Sequence, residues 1–485
     1  MAIGAGSAAA ARSSKLVVTL DIQGLEALGD GFAYEGWAIV DGQPVSTGTF
    51  TIDDNGRFSQ TSFIFEARPR QVSDFVLTIE PVPDPDPAPS AVHVLGGSFY
   101  GRQASLATSH PAALGTDFST AAGTYILNAP SGASLGIPYT HGIWWLNPAA
   151  GPGPSLTLPT LPSGWIYEGW VVGPNGPIST GTFADPTMID SDGAGVTAGP
   201  DGWPPFPGQD FVNPPQSLVG YTAVISVEPV PDNSPAPFVI KPLVDGNIDD
   251  VGAGVPQEMV QNLGSVPSGT ATLAKARLYR VTIQNMAEGQ PLSPPVVATH
   301  RGAASLFAEG SHASPEIEAI AENGDASGAV SLLNGLTAVT SAVNIGQPLT
   351  PHGTVVGDFT DTVSVEIYAR PGDRLSLASM LICTNDGFAG LDSARLARSR
   401  VQSFYAYAFD AGTEANTELS SDIVDGCSAL GPVVLNGDPN GNENTAVNTQ
   451  ELITTHPGIA GSGDLLAAHN WHGPIALVTV ELLEH

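Results

Sequence analysis

Residues 34–50 read Tyr-Glu-Gly-Trp-Ala-Ile-Val-Asp-Gly-Gln-Pro-Val-Ser-Thr-Gly-Thr-Phe, and residues 167–183 read Tyr-Glu-Gly-Trp-Val-Val-Gly-Pro-Asn-Gly-Pro-Ile-Ser-Thr-Gly-Thr-Phe. The two stretches are copies of one motif at an offset of 133 residues (167 − 34). In each copy an apolar, β-branched run is followed by a turn signal, Asp41-Gly42 or Asn175-Gly176, and then by a second run. This order predicts a β-hairpin in both copies.

A second block follows each hairpin. Thr-Ile-Glu80-Pro-Val-Pro-Asp84 matches Ser-Val-Glu228-Pro-Val-Pro-Asp232 at an offset of 148 (228 − 80), so the second copy carries about 15 extra residues (148 − 133). We place the insertion around 201–215, where Trp203, Phe206 and Phe211 stand among prolines. Because a hairpin cannot bury its apolar face alone, the copies (about 15–110 and 145–245) predict one pseudo-symmetric sandwich over residues 15–250.

The duplicated motif, with a later strand ending Glu-Pro and a Pro-rich turn, resembles the extracytoplasmic C-terminal domain of anti-sigma-K factors. The regulatory role of that family depends on a sigma-binding segment and a membrane helix, which this sequence does not show, so the resemblance implies the sandwich alone. Glu35 and Glu168 could be read as a pair of catalytic carboxylates. Their equivalent places in the repeat favour a shared structural role instead.

Composition predicts the fold class and excludes some functions. The 485 residues favour two to four domains at roughly 100 to 200 residues each. With 56 Gly and 42 Pro, many short strands are favoured over long helices, which predicts an all-β protein. The 16 Lys and Arg against 48 Asp and Glu give a net charge of −32, which argues against nucleic-acid binding. The same acidity is also expected of proteins kept soluble at high salt.

The chain ends and the apolar runs carry few signals. Residues 1–14 are typical of the flexible leader of a processed or recloned protein, and the first of these readings implies removal of a secretion signal. Residues 483–485 resemble the start of a histidine-tag scar, or are a native terminus. Runs such as 475–480 have the length of a strand, so no membrane span is predicted.

Cys383 and Cys427 are the two cysteines. A disulfide is the favoured use of them, with two separate buried thiols as the alternative.

The second half follows a predicted linker, residues 251–269, and opens with a strand at 276–285. Ser314 with Pro315 at the start and Asn323-Gly324 at the end predict a short helix. Leu-Ser-Pro-Pro-Val near residue 292, Thr-Asn-Asp-Gly-Phe near 384 and Asp-Ala-Gly-Thr-Glu at 410 resemble a bacterial spondin domain over residues 270–482. The resemblance implies a second β-sandwich, similar to a C2 domain, in a secreted adhesion or matrix protein with calcium bound by its loops.

Two acidic loops supply oxygen donors of the kind that calcium prefers. We expect calcium to be bound by Asp386, Asp410, Glu414 and Glu418, with Asp392 and Asn416 in reserve. The alternative is a solvated acidic face on a protein of this charge. Cys383 precedes one loop and Cys427 follows the other, so a disulfide between them would join the two loops.

Three histidines near the end of the sequence form an alternative metal site. His456, His469 and His472 offer imidazoles that suit zinc or copper, although structural or surface roles are favoured because Gly and Pro surround them. No GxGxxG motif after a strand and no GxxxxGK[ST] motif is found.

Two functions follow from these residues. The first is a secreted, calcium-binding, non-enzymatic protein for adhesion, matrix or surface assembly. Its partner would be a matrix protein, surface protein or polysaccharide, bound through the rim loops or the aromatic insertion around Trp203. The second is a metal-dependent extracellular enzyme that acts on a polymer through a His and carboxylate site holding zinc or copper.

Overall fold

The computed structural model describes residues 14–149, 151, 153–232, 234–396, 400–432 and 447–483. The predicted leader lies outside this part of the chain except for Ser14, and so do Glu484 and His485 of the predicted scar. Strand accounts for 42% of the structure and helix for 9%, which confirms the all-β class. Within the described residues no helix is both long and apolar enough to cross a membrane.

The strands of the first half are short and joined by turns. They are β1 (Ser14–Gln23), β2 (Phe32–Val40), β3 (Gln43–Phe50), β4 (Ser62–Ala67), β5 (Val72–Pro81), β6 (His93–Tyr100), β7 (Gln103–Ala107), β8 (Ala122–Leu127), β9 (Gly142–Trp144), β10 (Leu146–Asn147), β11 (Gly153–Pro154), β12 (Leu156–Thr157), β13 (Trp165–Gly173), β14 (Gly176–Phe183), β15 (Gly208–Asp210), β16 (Thr222–Pro229), β17 (Leu243–Asp245), β18 (Gln257–Glu258) and β19 (Val260–Gln261).

The second half adds longer strands and three α-helices. The strands are β20 (Ser268–Lys275), β21 (Arg277–Asn285), β22 (Val296–His300), β23 (Val339–Asn344), β24 (Val355–Val356), β25 (Phe359–Thr360), β26 (Thr362–Ala369), β27 (Arg374–Met380), β28 (Gly387–Arg395), β29 (Val401–Asp410), β30 (Thr454–Thr455) and β31 (Ala476–Leu482). The helices are α1 (Pro315–Asn323), α2 (Ser327–Asn334) and α3 (Gly426–Leu430).

The chain forms two compact units. The repeat unit consists of Leu20–Arg57 and Arg70–Thr272, and the C-terminal unit consists of Met1–Thr19, Phe58–Pro69 and Leu273–His485. The repeat unit holds the antiparallel runs β3-β2-β5-β6-β7, β14-β13-β16-β17-β19 and β12-β8-β9-β15. The predicted linker, residues 251–269, is part of this unit, because β18 pairs with β8 and β19 pairs with β17. Paired backbone groups hold this segment in place, so it is not a free connection.

The two copies of the motif fold alike. Strands β2 and β3 pair with an irregularity between Gly36 and Trp37, and β13 and β14 pair with one between Glu168 and Trp170. The first hairpin turns at Asp41-Gly42, both with positive φ, as the sequence predicts. In the second copy the turn lies one residue earlier than predicted, because Gly173 already pairs with Gly176.

Matching side-chain contacts also repeat. Tyr34 stacks on Phe50 with ring centroids 5.5 Å apart, and the equivalent pair in the second copy is 5.9 Å apart. Trp37 donates from its indole N–H to Thr78 at 2.9 Å, and Trp170 donates to Ser226 at 2.8 Å. The repeated sequence therefore specifies a repeated packing unit.

Most of the aromatic side chains of the insertion in the second copy are buried in the core. Phe206 and Phe211 are buried, whereas Trp203 is 45% exposed. Asp210 ties this segment down, because its carboxylate accepts from the Ser131 backbone N–H and from the Trp144 indole N–H, both at 2.8 Å. The aromatic insertion expected to form an exposed binding surface is thus reduced to one half-exposed tryptophan, because its phenylalanines fill the interior.

The C-terminal unit is built on the sheet β23-β22-β27-β28-β29-β31-β21-β26, with β30 added to β29. One core packs apolar residues of β21, β26, β27, β29 and β31 together. A second core packs Ile317 and Ile320 of α1 against Phe388 and neighbouring residues. Helix α1 begins and ends as predicted, with the Ser314 hydroxyl accepting from the Ile317 N–H and Gly324 left-handed at the end.

Two segments from the start of the sequence belong to the C-terminal unit. Ser14–Thr19 of β1 pairs with Ser62–Ala67 of β4. The Ser62 hydroxyl donates to the Val339 carbonyl at 2.8 Å, and the Arg370 guanidinium donates to the Thr19 hydroxyl at 3.0 Å. These contacts span hundreds of residues, which explains why a sequence reading that assigned 15–110 to one repeat did not find them.

Candidate functional site

The two acidic loops meet at one edge of the C-terminal sheet. Asp386 stands immediately before β28, and Asp410 is the last residue of β29. Because these strands are antiparallel and Gly387 pairs with Asp410, the start of one and the end of the other are neighbours. The short strand β30 adds to the same edge, with Thr454 opposite Asp410. The structure thus brings together the loops that the sequence singled out.

Asp386 is the most buried carboxylate of the group, with 0% exposure. Its Oδ2 accepts from the backbone N–H groups of Thr413 and Glu414 at 2.8 and 3.0 Å. Its Oδ1 is buried without a hydrogen-bond partner. Burial, together with the nearby charge of Asp410, raises the pKa of Asp386 to about 6. A buried carboxylate oxygen without a partner is costly unless a proton or a cation compensates it.

Asp410 and its loop are held by short-range bonds. The Asp410 Oδ1 accepts from the Gly412 N–H at 2.9 Å, and its Oδ2 accepts from the Asn416 side chain at 2.6 Å. Glu414 is buried and pairs with Asn448 in an isolated bridge. Asp410, Glu414 and Asn416 therefore lie on one structured loop beside Asp386.

The surroundings of Glu418 differ from those of Asp386 and Asp410. Its carboxylate accepts from the backbone N–H groups of Ala460 at 2.5 Å and Ser462 at 2.6 Å, and from the Ser462 hydroxyl at 3.1 Å. Burial raises the pKa of Glu418, but these donors outweigh it and hold the pKa below its ordinary value. The side chain serves as an anchor for the 460–463 loop, so it is a weaker candidate for a ligand.

Asp392 does not reach the acidic loops. It lies six residues beyond Asp386 along β28, about 20 Å at the rise of a strand. Its carboxylate accepts from the hydroxyls of Ser305 and Ser376 at 3.2 and 3.1 Å. Asp392 therefore lies apart from the other candidate ligands, because strand geometry carries it away from them.

The remaining candidates are adjacent without converging. Among Asp386, Asp410, Glu414, Glu418 and the nearby histidines, no three ligand atoms lie within 4.8 Å of one another. Oxygen ligands of one calcium ion are at most about 5 Å apart, because each Ca–O bond is about 2.4 Å. A cation at this edge would require the loop side chains to move toward Asp386.

In His456 and His469 the Nδ1 atom is already engaged by a backbone N–H. The Nδ1 of His456 accepts from the Gly458 N–H at 3.0 Å, and that of His469 accepts from the Leu466 N–H at 2.9 Å. Each neutral ring therefore carries its proton on Nε2, whereas a metal ligand needs a lone pair there and donates from its other nitrogen. His456 packs edge-on against Trp471 and shares a cavity of about 420 Å³ with the exposed His472.

The predicted disulfide is confirmed. Cys383 and Cys427 are bonded, with their Cα atoms 4.9 Å apart. His469 lies beside them, but a disulfide offers no thiolate for a metal. The bond closes a loop of 44 residues that contains both acidic loops, which the entropic model values at about 4 kcal/mol of stability.

The repeat unit contains a cavity that the sequence did not indicate. It measures about 540 Å³ and is lined by residues from both copies, among them Glu26, Ile79, Val92, Glu228, Val230 and Phe238. Burial raises the pKa of Glu26 to about 7, although Lys241 acts in the opposite direction. Equivalent positions in a repeat could have suggested a shared pocket, but no local motif marks it.

Glu35 and Glu168 do not pair with each other. Each accepts from a serine hydroxyl of its own hairpin, Ser46 or Ser179. Each also lies near the second glutamate of its own copy, Glu80 or Glu228. Each of the two glutamates is thus held by its own hairpin.

Comparison with known proteins adds one similarity. The family model described as "Anti-sigma-K factor rskA, C-terminal" matches residues 2–93. The matched segment contains the first hairpin and the strand that ends at Glu80-Pro81, which carry the resemblance noted from the sequence. The match ends at residue 93, so the spondin resemblance of residues 270–482 stays a prediction. No curated protein matches the chain. Its first 93 residues are thus similar to an anti-sigma-K factor C-terminal domain.

Proposed function

We propose that this chain is a secreted, non-enzymatic calcium-binding protein for adhesion or surface assembly, with a spondin-like domain in its C-terminal unit. The observation that carries the proposal is Asp386, a fully buried carboxylate whose Oδ1 has no partner and which lies beside Asp410. The charge of Asp410 acts on Asp386, so the two carboxylates repel each other, and a hard cation would compensate both.

The residues fit a calcium ion in part. Asp386 and Asp410 would hold the ion, with Glu414 and the Asn416 side-chain oxygen completing it from the same loop. Glu418 would order the neighbouring 460–463 loop through its backbone bonds. Calcium would supply positive charge, and the loops would close around it. A binding surface for a matrix protein or polysaccharide would then be the ordered rim of this edge.

The alternative, a metal-dependent enzyme, has less support. It requires ligands from among His456, His469 and His472. The Nδ1 atoms of His456 and His469 already accept backbone bonds, and His472 is exposed. No observation in the described residues favours it over the calcium proposal.

The test is thermal unfolding of the chelated protein with added calcium, magnesium or zinc. We expect calcium to raise the midpoint by a few degrees at saturating concentration, since a ligand at 100 times its Kd adds about 2.7 kcal/mol. Asp386→Asn should remove most of the shift in the transition of the C-terminal unit.

The control is Asp392→Asn, a change to an exposed aspartate on the same strand, which should keep the full calcium shift. Equal shifts in Asp386→Asn and the wild type would contradict the calcium proposal. A shift with zinc that depends on His456 would favour the enzyme instead.

A further inference from the structure

We propose that Glu168, Glu228 and Asp232 of the second repeat copy form a binding site for a hard divalent cation such as calcium or manganese. One carboxylate oxygen of each residue lies within 4.8 Å of those of the other two. This separation is the spacing that oxygen ligands adopt around a single ion. The site lies in the repeat unit and stands independently of the calcium site of the C-terminal unit.

An unpartnered oxygen points to a missing ligand at this cluster. Glu168 is 4% exposed, and its Oε1 accepts from the Ser179 hydroxyl. Its Oε2 is buried without a hydrogen-bond partner. Such a buried oxygen is costly unless a proton or a cation compensates it.

The second glutamate is oriented by its surroundings. Glu228 is 0% exposed and accepts from the Ser226 hydroxyl and from the Phe238 backbone N–H, the latter at 2.9 Å. Ser226 in turn accepts from the Trp170 indole N–H at 2.8 Å. This chain of bonds holds the carboxylate in one orientation, as the surroundings of metal ligands commonly do.

Asp232 provides access for the ion. It is exposed, and its Oδ1 accepts from the Ser234 N–H at 2.8 Å, which fixes the turn. Glu228 and Asp232 both line the 540 Å³ cavity, so an ion can enter from that side and keep water ligands there. Three carboxylates and water are a donor set for calcium, magnesium or manganese rather than for zinc or copper.

No basic side chain forms an ion pair with this cluster among the described residues. Lys241 lies close enough to influence Glu228, but it does not come within 4 Å of any of the three carboxylates. A bound cation would therefore add to the weak attraction that Lys241 exerts on Glu228.

The first copy offers a matched control. Its equivalent residues are Glu35, Glu80 and Asp84, and they do not form a group within 4.8 Å. The Glu80 carboxylate is engaged by Thr78 and by the Ser90 backbone N–H at 2.9 Å. The same motif thus occurs once with converging carboxylates and once without.

The experiment is calorimetric titration of the chelated full chain with calcium chloride and with manganese chloride. It is carried out in the Asp386→Asn background, so that the proposed site of the C-terminal unit does not contribute. We expect one equivalent to bind, at least tenfold weaker binding after adding Glu168→Gln, and unchanged binding after adding Glu35→Gln. Glutamine keeps the oxygen that accepts from Ser179, and Asp232→Asn is a second, exposed variant in case Glu168→Gln does not fold.

Absence of binding in the Asp386→Asn background would overturn the site in the repeat unit. Equal loss in Glu35→Gln and Glu168→Gln would also overturn it. Either result leaves the calcium proposal for Asp386 intact, because that proposal is judged by the difference between the wild type and Asp386→Asn.

Discussion

Buried carboxylates are the chemically unusual residues of this protein. Asp386, Glu168 and Glu228 are almost fully buried, and burial raises the pKa of Asp386 to about 6 and of each glutamate to about 7. Such groups hold a proton to a higher pH than exposed carboxylates do. At the scale of single residues, these carboxylates make the stability of the protein depend on pH.

Glu26, in the wall of the repeat-unit cavity, allows a test of this pH sensitivity. Because burial raises its pKa from 4.5 to about 7, the folded state holds a proton that the unfolded state releases. The contribution of this proton to stability is fully present below about pH 4.5 and is lost as the pH rises through about 7. We expect Glu26→Gln to reduce the fall in the free energy of unfolding between these values.

The measurement is urea unfolding of the chelated protein at a series of pH values from 4.5 to 7.5. The exposed Glu258→Gln is the control in the same unit and should leave the slope unchanged. Parallel curves for wild type and Glu26→Gln would show that Glu26 titrates alike in the folded and unfolded states.

At the scale of elements, side-chain packing around the repeated hairpin explains why its motif contains a glycine. A Cβ on Gly36 would lie 2.5 Å from the Thr47 hydroxyl and 2.7 Å from the Phe75 ring. A Cβ on Gly169 would lie 2.5 Å from the Thr180 hydroxyl and 2.5 Å from the Trp145 ring. The motif Tyr-Glu-Gly-Trp therefore needs glycine because an aromatic ring covers the strand at that residue.

We expect Gly36→Ala and Gly169→Ala each to lower the free energy of unfolding by about 1 to 3 kcal/mol through overpacking. Chemical denaturation monitored by tryptophan fluorescence measures the change. Gly246→Ala is the control, because nothing lies within 4 Å of a Cβ there, and it should stay within about 0.5 kcal/mol of the wild type. A wild-type midpoint in both hairpin variants would show that the aromatic rings move aside at no cost.

At the scale of the whole molecule, the net charge of −32 on 485 residues opposes the folded state. The 48 aspartates and glutamates outnumber the 16 lysines and arginines three to one. Repulsion among exposed charges is screened over about 10 Å at 0.1 M salt. We therefore expect the melting temperature to rise steeply between 10 and 200 mM sodium chloride and more slowly above.

Thermal unfolding of the chelated protein across this range measures the effect. Choline chloride is the control for specific sodium binding and should give the same rise. A melting temperature that stays flat up to 200 mM salt would mean that the acidic side chains lie too far apart to repel one another.

The sequence by itself determined the features that depend on residues adjacent along the chain. The Asp41-Gly42 turn, the start of α1 at Ser314 and its end at Gly324 follow from local backbone preferences, and the structure has all three. The all-β class and the Cys383–Cys427 bond were also predicted, because composition and a single pair of cysteines leave few other solutions.

Only the tertiary structure decided which of these residues meet. Strand register sets Asp386 beside Asp410 and carries Asp392 away, and the folding of the second copy brings Glu168 to Glu228 and Asp232. The proton position on His456 depends on a backbone N–H of its own loop, and the assignment of residues 58–69 depends on contacts with residues near 339. Such contacts join distant parts of the chain, and their geometry is set by packing of the whole unit, which no local pattern records.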